Sequence, residues 1–85
     1  MSQRVRFTRH QVPRGTRPDA ETRDRIYLIK NVSLMRATYQ VRLLLAGAEQ
    51  TGRKLVLRIP KACKLGADLS ELRRDHASSL VVERV

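Results

Sequence analysis

Cysteine occurs once, at Cys63, and tryptophan not at all. A lone thiol closes no internal disulfide and builds no cysteine-based metal cluster, so neither crosslinks nor zinc explain how the chain folds. Aromatic residues make up 4% of the sequence, namely Phe7, Tyr27 and Tyr39. That is too few for the repeated aromatic platforms on which single-stranded nucleic acid stacks. The longest apolar run, Leu43 to Ala48, falls far short of the roughly 18 residues a membrane span needs. The basic N-terminus is not followed by an apolar leader segment, so the expected compartment is the cytoplasm. Glycine-rich phosphate loops are missing as well, because Lys30-Asn31-Val32-Ser33, at the first expected strand-to-helix junction, contains no glycine. Acids are scarce, eight Asp+Glu against 18 Lys+Arg, which leaves a formal charge of +10 on 85 residues.

A chain of this length folds as one domain and encloses no large cavity. The groups that could carry catalysis have simpler explanations. Asp68, Glu71 and Asp75 share a helical face. Asp68 as N-cap and Glu71 three positions later spell a capping box, and carboxylates near a helix start are favoured by its dipole. Cys63, His10 and His76 come with no third orienting group, and a single cysteine between strand and helix is ordinarily a small core filler. With no nucleophile, base and oxyanion donor together, the expectation is a non-enzymatic protein with no cofactor and no metal.

Several segments have clear patterns. Arg4-Val5-Arg6-Phe7-Thr8-Arg9 alternates as a strand does. Pro13, Gly15 and Pro18 then break regular structure, so residues 11–24 read as an exposed arm. Ile26-Tyr27-Leu28-Ile29 is a continuous apolar run, the pattern of a strand buried on both faces. From Ser33 as N-cap, Leu34, Thr38, Val41, Leu45 and Ala48 recur at helical spacing with Ala37 and Leu44 beside them, and Gly52 stands where a left-handed cap ends a helix. Gly47 inside that helix implies close packing on a neighbouring backbone. Lys54 to Ile59 is the next strand, stopped by Pro60; a short helix from Asp68 and a last strand, Leu80 to Val85, complete the chain.

The predicted fold is therefore a single small α/β domain, β-β-α-β-α-β, with a mainly parallel three-stranded sheet, a central crossover helix, and the N-terminal strand at an edge or swapped between subunits. Residues 1–25 form a basic strand and arm, and residues 26–85 the compact core.

Charge is concentrated in the first part. Seven arginines, Arg4, Arg6, Arg9, Arg14, Arg17, Arg23 and Arg25, against three acids leave +4 on residues 1–25, and the chain holds 14 Arg to 4 Lys. The planar guanidinium suits bidentate phosphate or carboxylate contacts. The expected function is a binding module whose Arg-rich strand and arm, joined by Lys54 and Arg58, contact a nucleic-acid backbone, DNA or RNA, mostly without sequence choice. A helix-turn-helix is disfavoured, because a strand separates the two helices. The alternative is a protein–protein interaction module, a regulator, inhibitor or assembly subunit, that docks on an acidic partner or forms a homodimer through its terminal strands.

Overall fold

Three strands rich in Leu, Ile and Val lie parallel and side by side: β2 (Arg25–Ile29), β4 (Lys54–Ile59) and β6 (Leu80–Arg84). The computed structural model describes residues 17–85. A short strand, β1 (Ala20–Glu21), pairs antiparallel with β2, so the sheet is mixed and its order is β1-β2-β4-β6. The expected three-stranded sheet is thus corrected to four strands. The fourth comes from the segment read as an arm. The Thr22 N–H donates to the Arg25 carbonyl at 2.8 Å and the Thr22 hydroxyl accepts from the Arg25 N–H at 3.0 Å, closing a hairpin around Arg23 and Asp24. Pro18 lacks an N–H, but Asp19 extends the pairing by accepting the Ile29 N–H on its carboxylate at 2.7 Å. The predicted strand Arg4 to Arg9 lies outside the described residues.

Helix α1 (Tyr39–Gln50) connects β2 to β4, and helix α2 (Ala67–Asp75) connects β4 to β6. Both connections step the same way across the sheet, and connections of one hand then leave both helices on one face. The core agrees: Ile26, Leu28, Leu55, Leu57, Ile59 and Leu80 from the sheet bury against Val41, Leu44, Leu45 and Ala48 of α1 and Leu69 of α2. The thiol of Cys63 is buried in the same cluster.

Both helices begin elsewhere than expected. Thr38, not Ser33, caps α1, its extended backbone leading in and its hydroxyl accepting the Val41 N–H at 3.2 Å. Leu34, assigned to the first helical turn by its spacing, instead joins Met35 in β3 (Leu34–Met35), which pairs parallel with β5 (Lys64–Leu65) in a second, two-stranded sheet. Apolar spacing cannot separate a helix turn from an extended lead-in when only the final positions pack. Gly66, not Asp68, precedes α2, no side chain caps that helix, and the capping box with Glu71 does not form. Asp68 instead faces Arg36 at 3.3 Å and accepts the Leu69 N–H at 2.8 Å. Burial raises its pKa, but the bonds from Arg36 and backbone N–H groups outweigh that and hold the carboxyl below its ordinary value.

The end of α1 is as expected, with Gly52 at φ +70° just after the cap residue Thr51. Gly47 is not: a Cβ there would meet no atom outside its own stretch of helix within 4 Å, so close backbone packing does not explain it.

Candidate nucleic-acid interface

Alternation along a strand sends neighbouring side chains to opposite faces. With Ile26 and Leu28 in the core, Arg25, Tyr27 and Ile29 take the other face of β2, where Lys54, Val56 and Arg58 of β4 and Val81 and Glu83 of β6 join them. The expectation that Ile26 to Ile29 is buried on both faces is corrected here: Ile29 is 47% exposed and Tyr27 half-buried. Among the described residues, no helix covers this face.

Register arranges the face in rows. Arg25 stands beside Lys54, Tyr27 beside Val56 and then Val81, and Ile29 beside Arg58 and then Glu83. Val56, 2% exposed and flanked by Tyr27 and Val81, is an apolar centre between a cationic row and a mixed one. Arg58 is held on two sides. Its guanidinium lies 5.3 Å from the Tyr27 ring centroid, and its Nε is 2.5 Å from the Glu83 carboxylate. The Arg58 side chain remains 38% exposed. A guanidinium fixed in this way loses less freedom when it takes a further oxygen ligand than one on a mobile stem.

Of the nine residues singled out in the sequence, Arg25, Lys54 and Arg58 come together on this face. Arg23 is exposed in the β1–β2 hairpin, next to the end of the sheet that carries Arg25 and Lys54, and Arg17 is exposed just ahead of β1. Arg4, Arg6, Arg9 and Arg14 lie outside the described residues. Arg53 fastens the hairpin to β4, donating to Glu21 at 2.9 Å and Thr22 O at 3.4 Å. Tyr27 was missed as a site residue because an apolar run hides which members face outward. The alternation from Arg25 to Ile29 becomes informative only once Ile26 and Leu28 are known to face the helices.

The geometry suits anion contact better than base stacking. Arg58 already occupies the neighbourhood of Tyr27, the single aromatic ring among the described residues of the face, which leaves that ring as the support of a cation. The cationic groups lie within one sheet surface, where backbone geometry rather than long loops sets their separation.

The fold and this surface define a small two-layer α/β domain with one sheet face bare of described helices. Compared with known proteins, the chain matches no family model, no curated protein and no solved structure.

Proposed function

We propose that this chain is a non-enzymatic module that binds a nucleic-acid backbone across the helix-free face of its sheet. The observation that carries the reading is the register: Arg25 beside Lys54, with Arg58 held over Tyr27 on the same face. Arg25 and Lys54 take phosphate oxygens as exposed cations, Arg58 offers a pre-positioned fork, and the hairpin Arg23 and the N-terminal arginines add non-specific attraction to a polyanion. With Arg58 over Tyr27, the one aromatic ring among the described residues of this face, the contact selects for phosphate rather than for base.

The test is a fluorescence-anisotropy titration of a labelled DNA duplex of about 20 base pairs at several salt concentrations. Three neutralised phosphates contribute about −2.7 to the slope of log K against log salt, and Arg25→Ala with Lys54→Ala flattens it by about 1.8. Binding indifferent to salt, or a double variant with the parent slope, overturns the proposal.

The alternative reading, a protein-interaction module, has a different surface, at the outer edge of β6.

A further inference from the structure

Among the described residues β6 pairs only with β4, so one side of it is a sheet edge. The Leu55 N–H donates to Ser79 O and the Val85 N–H to Ile59 O, which turns the backbone of the odd-numbered residues toward β4. Leu80, Val82 and Arg84 therefore direct N–H and C=O outward. Leu80 N–H is satisfied by His76 O at 2.8 Å. Among the described residues, the ladder groups of Val82 and Arg84 and the Leu80 carbonyl meet no neighbouring strand.

An open groove of about 490 Å³ runs along this edge. Ser70, Arg73, Arg74 and Ala77 line it from α2 and the turn after it, at the i, i+3, i+4, i+7 spacing of one helical face, and Val81 and Val82 line it from β6. Both charged groups of this lining are guanidinium; Glu71 and Asp75 of the same helix are not part of it. The guanidinium of Arg84 is committed elsewhere, donating to Lys61 O and Cys63 O.

We propose that this edge receives an extended acidic segment of a partner protein, added to the sheet as a further strand beside β6. Backbone pairing with Val82 and Arg84 sets the register, and carboxylates on the helix side of the added strand pair with Arg73 and Arg74. The opposite side of that strand lies beside Val81, so the fitting sequence alternates acidic and apolar residues. Charge decides among occupants. A second copy of this chain brings another +10, and residues 1–16 of the chain itself hold four arginines and no acid. An acidic strand is the complementary one. This surface does not share the cations of the helix-free face, and the proposal stands apart from nucleic-acid binding.

The test uses the full chain and a fluorescein-labelled peptide, Thr-Glu-Val-Glu-Val-Glu-Thr, with the same peptide carrying Lys for Glu as a control. Anisotropy is expected to show saturable binding of the acidic peptide alone, weakened roughly tenfold or more by R73E with R74E and by less than about threefold by R73K with R74K. R25A with K54A leaves it unchanged. Hydrogen exchange of the Val82 and Arg84 amides slows on binding. No saturable binding of the acidic peptide, equal binding of the Lys peptide, parent affinity in the charge-reversed variant, a loss in R25A with K54A, or unprotected Val82 and Arg84 amides overturns the proposal. So does a dimer by light scattering that R73E with R74E dissociates, since the edge then belongs to a second copy.

Discussion

Arg58 stands with its guanidinium 5.3 Å from the centre of the Tyr27 ring, a diagonal contact between neighbouring parallel strands. A cation over an aromatic face at an exposed site contributes about 0.5–1 kcal/mol. Tyr27 is therefore a positioning residue whose effect on binding is separable from charge. Tyr27→Leu is expected to weaken duplex binding by about two- to fivefold with the salt slope unchanged, because Arg58 keeps its charge and loses its support. Tyr27→Phe restores the parent affinity. Anisotropy titrations of the three proteins at several salt concentrations check this; a Phe variant as weak as the Leu variant shows that the ring is not what holds Arg58.

The two faces of the sheet differ in what a substitution costs. Leu57 is wholly buried between the sheet and the helices, whereas Ile29, also a large aliphatic residue, is 47% exposed on the helix-free face. Leu57→Ala is expected to cost about 2–5 kcal/mol through lost burial and the cavity left behind. Ile29→Ser stays within about 0.5 kcal/mol of the parent. Urea unfolding followed by circular dichroism measures both, and a large loss for Ile29→Ser shows that this face is packed.

The same contrast explains what was legible in the sequence. β4 and β6 were readable because β-branched and leucine runs between Gly52 and Pro60, and after the turn at residues 76–79, have no competing helical period. The body of α1 was readable from Val41, Leu44, Leu45 and Ala48. Its start was not, since Leu34 matches the helical spacing yet is 50% exposed, and the first turn is marked by bonds to Thr38, whose hydroxyl accepts the Val41 N–H and whose carbonyl accepts the Arg42 N–H. Two-residue strands such as β1, β3 and β5 leave no periodicity at all; β1 exists through the hairpin that the Thr22–Arg25 bonds close, and β3 and β5 through each other, distant in the chain. For the candidate site, residue types pointed to Arg25, Lys54 and Arg58, but their convergence depends on parallel register, which no local pattern encodes.

Gly47 and Gly52 predict opposite signs for the same substitution. A methyl group at Gly47 meets no neighbouring atom in a helical backbone, so Gly47→Ala is expected to stabilise by up to about 1 kcal/mol. Gly52 also has open space around it but sits at φ +70°. There the penalty is in the backbone, and Gly52→Ala is expected to cost about 1–2 kcal/mol. Thermal unfolding of the two variants decides the matter: destabilisation by Gly47→Ala means that something packs on that face of α1.

Glu49 in the last turn of α1 and His76, the residue that ends α2, meet at 2.8 Å between Oε2 and Nδ1. The bond from His76 is the main reason the Glu49 carboxyl is held below its ordinary value; burial opposes it, and a bond from Ser79 and the charge of His76 act in the same direction as the first. A carboxyl whose folded pKa is depressed favours the folded state at pH above its unfolded value. That contribution is lost as pH falls through the lowered folded value. Both side chains are more than a third exposed or close to it, so solvent screening limits the effect to a few tenths of a kcal/mol. The expected outcome is a small stability difference between the parent and Glu49→Gln that holds near pH 6 and shrinks from about pH 5 downward. Chemical denaturation at a series of pH values measures it. A difference that grows on acidification reverses the sign and removes the Glu49–His76 contact as its source.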